Sequence, residues 1–389
     1  MLDSATERDP LERQIINVTH ATPSRIPILI GGCGSGKTNL LHQVSNSLDS
    51  TANQYIDVER SASTPESFWS AIQERSPYSL RQTKTSNSSS STARIAFDNL
   101  LQFLCDCRLP NGDPATFLVD EFFELKMFES FPGIRHALPE LLNAVTESEN
   151  RFVFSTRYSK RATKLLEKYT DHISIIEVPP LTVTETSQHL LQLGVGRTDS
   201  ERDELSKILL VLADGRPSYV RTLSEALSAM EGAEGGDPVS TLASQLVTGA
   251  PLSQLCRISY ERRLGRARGY GALKAILQVL SEEDMLNLTE IAHRLGRTPG
   301  STKDYLSWLE DVDLIEIKQK RYRFQDPLLC LWVNLHSRPE PPSEFELSRE
   351  AQEYAVSRLP FMEATEKEIP ETLPQNSAAP REWSIIEID

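Results

Sequence analysis

Residues 31–38 read Gly-Gly-Cys-Gly-Ser-Gly-Lys-Thr, which satisfies G-x-x-x-x-G-K-[ST] in full. The chemistry such a run can do is phosphate binding. Gly31, Gly32, Gly34 and Gly36, interleaved with Cys33 and Ser35, let successive backbone N–H groups curl around an anion without Cβ clashes. A helix opening through Lys37, Thr38 and Asn39 would add its dipole and its unpaired donors. Lys37 is expected to reach the β- and γ-phosphates, and the Thr38 hydroxyl to ligate Mg²⁺. A glycine-rich turn that binds nothing would not explain a lysine followed by a threonine.

A second constellation lies downstream. Thr116-Phe117-Leu118-Val119 is an apolar run ending in Asp120 and Glu121. At the C-terminal end of a strand, Asp120 would face the ligand crevice of an open α/β sheet and hold the magnesium through water. Glu121 would be placed to polarise an attacking water. Two solvated acids at a strand end are the plainer alternative, and the phosphate loop at this separation favours the functional one. Residues 151–154 lead into Ser155-Thr156-Arg157. Thr156 there can sense a γ-phosphate and Arg157 can neutralise transition-state charge, or Arg157 is a surface residue at a strand end; both readings stand. Lys160, Arg161 and Lys164 follow and read as a solvated face. No Asn-Lys-x-Asp segment is present, which argues against guanine specificity.

The elements that must position these residues are legible as alternating short apolar runs and helix-length segments. Strands are expected at 26–30, 54–58, 116–120, 151–155 and 173–178. Near-continuous apolarity argues an α/β fold with a five-stranded parallel sheet covered on both faces. With the phosphate loop after the first strand and Glu121 after the third, it resembles a P-loop NTPase of the ASCE type. Residues 1–180 form this core, with a polar low-complexity loop at 82–92. Residues 181–255 lose the strand pattern and read as a helical lid, with a capping box at Thr182 and Glu185. Within it, Gly215 and Pro217 punctuate two helices, which turn chemistry alone would explain. Residues 256–336 read as three helices and a β-hairpin, a winged helix-turn-helix.

The chain has 389 residues, and 41 Lys plus Arg against 55 Asp plus Glu give a net charge of −14. Half of that lies in residues 337–389, which carry 5 basic and 12 acidic residues and 7 of the 23 prolines. That stretch reads as a mostly extended or disordered tail with one helix near 347–359, either an autoinhibitory or partner-binding arm or an inert solvating tail. An acidic chain is not held to DNA by bulk charge, so a nucleic-acid contact must be local. Lys318, Lys320, Arg321 and Arg323 on the hairpin, with Arg257, Arg262, Arg263, Arg266 and Arg268 before it, could grip phosphates. The expected recognition helix, 298–311, is itself net acidic, so packing on the core or on another protein is the alternative. Five cysteines without framework spacing read as free thiols, and the lone Cys105-x-Cys107 is poor evidence for zinc. No membrane-length apolar run and no leader pattern are seen, so a cytoplasmic protein is expected.

Taken together, the segments resemble the AAA-like STAND ATPases, most closely the archaeal-type ATPases with a C-terminal winged helix, over most of residues 8–336. Arg8-Asp9-Pro10-Leu11-Glu12 looks like that family's N-terminal Arg–Glu box, and Phe154-Ser155-Thr156-Arg157 like its sensor segment. Gly215-Arg216-Pro217 looks like its Gly-x-Pro motif, in which the proline contacts adenine. Tyr322 through Asp326-Pro327 to Trp332 is similar to its ending after the wing. Tyr169-Thr170-Asp171-His172 carries no arginine before the last strand, which leaves an oligomeric arginine-finger mechanism without its residue there. The resemblance implies an ATP- and Mg²⁺-dependent switch, with slow or partner-stimulated hydrolysis, that signals through the winged helix to duplex DNA or to a protein. The alternative is a non-catalytic scaffold stabilised by nucleotide.

Overall fold

The computed structural model describes residues 8–21, 24–48, 53–78, 92–234, 236–265, 269–338 and 340–359, with the side chains of 231–234 left aside. The loop at 82–92 falls outside these residues except for Thr92, which opens a helix.

Five parallel strands, β1 (Ile26–Ile30), β2 (Asn53–Asp57), β3 (Thr116–Asp120), β4 (Arg151–Thr156) and β5 (Ile173–Glu177), are ordered β2-β3-β4-β1-β5. Each lies within a residue or two of its expected bounds. Side chains alternate faces along a strand. Leu29, Leu118, Val153 and Ile176 therefore join one apolar layer, with Ile15 of helix α1 (Asp9–His20) and Leu40, Leu41 and Val44 of α2 (Lys37–Ser47). Phe117, Phe152 and Phe154 join the opposite layer, where Phe117 and Phe152 stack at 5.5 Å. This layer also takes in α4 (Pro65–Arg75) and α5 (Thr92–Asp106), which follow the short α3 (Val58–Ser61). Beyond β3 come a 3₁₀ segment at Phe122–Ser130 and α6 (Ala137–Glu147). A fully buried phenylalanine contributes about 1.5–3 kcal/mol, so these rings add substantially to the stability of this face of the sheet.

Strand β4 lies between β1 and β3, with Ile30 opposite Thr156 and Val119 opposite Phe154. The ends of all three thus share one edge. Helix α7 (Ser159–Leu166) leaves β4 immediately after Arg157.

Helices α8 (Val183–Gln192), α9 (Asp199–Leu212), α10 (Pro217–Glu234) and α11 (Pro238–Gln245) follow. Thr182 and Glu185 form the expected capping box on α8. Gly215 has φ +63, and a Cβ there would lie 2.5 Å from the Pro180 side chain, so the α9–α10 turn requires glycine.

The C-terminal elements are α12 (Pro251–Gly265), α13 (Tyr270–Glu282), α14 (Leu288–Arg294), α15 (Pro299–Asp311), β6 (Ile315–Lys318), β7 (Arg321–Phe324) and α16 (Pro327–His336). β6 and β7 pair antiparallel, joined by Gln319 and Lys320, both at positive φ, as a tight hairpin turn demands.

Lys160 and Lys164 are exposed, as a solvated face would be, but Lys160 and Arg161 also pair with acids of α15. Lys160 Nζ lies 2.6 Å from Glu310, and Arg161 Nη2 lies 3.1 Å from Asp311. The acidic end of α15 is thereby matched to α7. Asp313, at φ 53, accepts the Ser159 N–H at 2.7 Å and so caps α7 from the other side. Arg263 is buried and donates to the Asp313 carbonyl at 2.7 Å, so it is not free to grip an external phosphate, whereas Arg262 is half-exposed and pairs with Glu59. Arg266 and Arg268 lie outside the described residues.

The helix expected near 347–359 is present at 344–358 and is docked on the rest of the chain. Helix α17 (Glu344–Arg358) buries Leu347, Ala351 and Ala355 on one face and packs against α9 and α11. Tyr354 and Arg358 donate to the Leu212 and Val211 carbonyls, and Arg358 pairs with Asp214 at 2.8 Å. A stripe of one leucine and two alanines is faint against so many glutamates. Residues 360–389 lie outside the described residues.

Burial raises the Asp313 carboxyl from 3.8 to about 6, against the downward pull of Ser159 N–H, Arg263, Lys160 and Arg161. The folded state holds this proton more tightly than the unfolded chain. Asp313 therefore loses the fold stability as pH climbs from about 4 through about 6. Asparagine tolerates the same left-handed backbone and removes the charge. Asp313→Asn is expected to melt above wild type by a margin that grows between about pH 4.5 and about pH 7.5, worth up to ~3 kcal/mol. A margin independent of pH in thermal melts would refute this.

Candidate active site

The shared edge of β1, β3 and β4 opens into a cavity of about 320 Å³. Its wall includes Cys33, Gly34, Gly36, Lys37, Thr38 and Asn39 of the loop, Asp120 and Glu121 after β3, Arg157 after β4, and Pro217 of α10. Gly31, Gly32, Ser35, Thr156 and Gly215 do not line the cavity. Gly34 and Gly36 lie at φ +80 and +90, the left-handed backbone that a curled amide loop needs. A Cβ on Gly34 would meet Ser218 Oγ at 2.2 Å, because the first turn of α10 presses on the loop.

Lys37 Nζ donates to the Gly31 and Gly32 carbonyls at 2.7 and 3.1 Å and to Ser35 Oγ at 3.2 Å. Burial lowers its pKa, while the Glu121 carboxylate opposes that and favours the ammonium form. Thr38 Oγ1 donates to Asp120 Oδ2 at 2.7 Å, and Tyr55 OH donates to the same oxygen at 2.9 Å. Asp120 Oδ1 accepts from Ser155 Oγ. Burial and Asp120 hold the Tyr55 hydroxyl well above the ordinary phenol value, so it stays a donor. Thr38 and Asp120 offer only hard oxygen donors, which suits Mg²⁺. Among the described residues no three His, Cys, Asp or Glu converge on a metal site. An ion here would need further oxygens from a phosphate, which is how Mg²⁺ travels with a nucleotide.

Glu121 Oε2 accepts the Arg157 backbone N–H at 2.9 Å and lies 3.2 Å from Arg157 Nε. Arg157 is buried, not a surface residue. Burial alone would lower its pKa, but Glu121 and Glu59 outweigh that and raise it. Thr156 Oγ1 accepts the Tyr158 N–H at 3.2 Å and supports the turn rather than lining the cavity. Arg8, of the N-terminal segment, donates to the Pro179 carbonyl at 2.9 Å and pairs with Glu185, outside the cavity.

Sequence spacing did not reveal Asp57, Glu59, Arg60, His189, Arg221 and Arg262, all on the cavity wall. Arg221 alone had a signal, since it lies four residues beyond Pro217 on one helix face. The others come from segments far apart in the chain. Arg216 was also missed. Its Nη1 donates to the Cys33 carbonyl at 3.1 Å, its Nη2 to the Gln325 carbonyl at 3.3 Å, and its Nε faces Asp326 at 3.6 Å. It joins the phosphate loop, α10 and the hairpin exit. Asp326 is fully buried, so Arg216→Ala leaves a carboxylate without its cation and is expected to cost about 3 kcal/mol in denaturant unfolding. A loss below ~0.5 kcal/mol would show that the bridge is incidental.

On the hairpin, Arg321 lies 3.6 Å from Glu290 and donates to the Met285 carbonyl, and Arg323 pairs with Glu316. Lys318 and Lys320 are exposed.

No protein-family profile and no curated protein matches the chain. Among solved structures, a Walker-type ATPase of Pyrococcus abyssi is similar with a TM-score of 0.61 and 15% identity, covering 84% of this chain and 95% of that one. The Holliday junction branch migration motor RuvB of Thermotoga maritima aligns at a TM-score of 0.43 and 16% identity, over 84% of this chain and 94% of its own. The Orc1 protein of Aeropyrum pernix, solved in complex with DNA, aligns at 0.45 and 15%, over 92% and 95%. The first of these likenesses shows the fold, that of a P-loop ATPase. No helix among the described residues is long and apolar enough to cross a membrane.

Proposed function

We propose that this chain binds ATP with Mg²⁺ in the cavity between the sheet and α10, hydrolyses it, and passes the nucleotide state to its C-terminal unit. The observation that carries the reading is the 2.7 Å bond from Thr38 to Asp120, with the Lys37 ammonium beside it. A hydroxyl and a carboxylate brought together across 82 residues form the oxygen pair that an Mg²⁺–triphosphate needs. Mg²⁺, held by Thr38 and Asp120, would offset phosphate charge when bound. Glu121 is the group to orient and deprotonate water, and Arg157 the group to meet charge on the γ-phosphate.

The finer assignment is to the AAA-like STAND ATPases, with residues 181–255 as lid, 256–336 as winged helix and the acidic stretch from 337 as an appended arm. Support comes from the Gly215-Arg216-Pro217 segment, whose arginine touches the phosphate loop and the hairpin exit at once. The pairing of α15 with α7 directly after Arg157 offers a route from nucleotide to C-terminal unit. That same pairing favours a unit that docks on the ATPase core and signals to a protein. DNA contact through the hairpin rests on Lys318 and Lys320, since Arg321 and Arg323 are engaged with acids.

The hold of Arg157 on Glu121 favours a second reading, a nucleotide-stabilised scaffold with little turnover. Thermal shift with ATP, with and without Mg²⁺, read beside phosphate release alone and with duplex DNA, separates the two. Release with Mg²⁺ supports the switch. A thermal shift without release supports the scaffold, and no shift at all refutes both.

A further inference from the structure

The cavity wall opposite the phosphate loop is a line of alternating charges. Arg157 Nε lies 3.2 Å from Glu121, and Arg157 Nη2 lies 2.6 Å from Glu59 Oε2. The same Glu59 oxygen lies 3.1 Å from Arg262 Nη1. Exposure rises from Arg157 toward α12: the Glu121 and Arg157 side chains are 11% and 7% exposed, Glu59 20% and Arg262 55%. Four elements meet here, the ends of β3 and β4, helix α3 and helix α12. Arg263, the next residue on α12, is buried against Asp313, which caps α7. Helix α12 is thus fastened to the C-terminal unit by one arginine and to the catalytic side of the cavity by its neighbour.

One Glu59 oxygen serves two guanidinium groups, so the two share its charge. Arg157 is itself shared between Glu59 and Glu121. A carboxylate that already accepts an N–H and faces a guanidinium is a poor acceptor for a proton from water. Whatever strengthens the draw of Glu59 on Arg157 frees Glu121, and whatever weakens it leaves Glu121 masked.

We propose that Glu59 is a positioning residue that draws Arg157 away from Glu121, and that Arg262, by sharing Glu59, makes this draw depend on where helix α12 stands. The proposal rests on the ATPase reading and names the regulation of that same site. Movement of α12 with the C-terminal unit strains the exposed Arg262 contact first, while the buried contact to Arg157 persists. Release of Arg262 leaves more of the Glu59 charge to Arg157 and so unmasks Glu121.

Two residues in contact are therefore expected to act with opposite sign. Steady-state phosphate release by the full chain with Mg²⁺ and ATP is to be measured for wild type, Arg262→Gln, Arg262→Lys, Glu59→Gln, the Glu59→Gln/Arg262→Gln double variant, and Glu121→Gln. Arg262→Gln is expected to raise kcat about three- to tenfold with KM unchanged, while Arg262→Lys keeps the wild-type value. Glu59→Gln should lower kcat roughly tenfold at unchanged KM, and the double variant should match it, because Arg262 acts only through Glu59. A merely structural contact would give losses from both single substitutions. The proposal is overturned if Arg262→Gln leaves kcat level or lowers it, or if the double variant exceeds Glu59→Gln. Arg262 is half-exposed, so its variant carries the test if Glu59→Gln does not fold. Wild-type turnover in Glu121→Gln would overturn the ATPase site itself; loss in Glu121→Gln with a level Arg262→Gln overturns the relay alone. No release from any variant overturns both.

Discussion

Lys37→Ala is expected to weaken ATP binding by roughly 100-fold or more, because two charge-assisted bonds to phosphate at ~1.5–3 kcal/mol each are lost. The loop geometry makes the effect larger than a lone surface lysine would give. The ammonium is buried and donates to Gly31 O, Gly32 O and Ser35 Oγ, so it also holds the curl in shape. Alanine leaves those acceptors unpaired as well as removing the charge. Isothermal titration with ATP and Mg²⁺ reads the first effect, and a melting curve without nucleotide reads the second. A variant that binds ATP as wild type does would remove the phosphate-loop assignment whatever its melting temperature.

The second large effect is on turnover alone. Glu121→Gln is expected to lower kcat by about 10²–10⁴-fold while ATP affinity stays within a few-fold of wild type, since the amide cannot take a proton from water. The substitution is nearly isosteric, and its oxygen can still accept the Arg157 backbone N–H that Glu121 accepts at 2.9 Å. What changes is the charge facing Arg157 Nε. Single-turnover phosphate release, with binding measured separately, checks the split. Equal losses in affinity and rate would mean that Glu121 serves the architecture of the site and not its chemistry.

Much of the frame was legible because its signals are local. Runs such as Ile26–Ile30 and Thr116–Asp120 are short, apolar and bounded by turn residues, and the strands fall where that pattern places them. Helix α17 was harder to weigh. Its Leu347, Ala351 and Ala355 are few among many glutamates, and the surface they cover belongs to α9 and α11. The partners of Lys160 and Arg161 were hidden for the same reason: the acids that meet them are 150 residues away.

By itself the sequence determined what depends on neighbours along the chain: the phosphate loop at 31–38, the acids at the end of β3, the helix caps and the alternation of the strands. Backbone conformation and hydrophobic period are short-range properties, so a window of residues suffices to express them. Tertiary structure alone decided which carboxylate meets which guanidinium. Glu59, Arg157 and Arg262 converge because the strand order sets β4 between β1 and β3 and α12 returns across the crevice. Electrostatic pairing depends on distance in space and on burial, and neither is a function of separation along the chain.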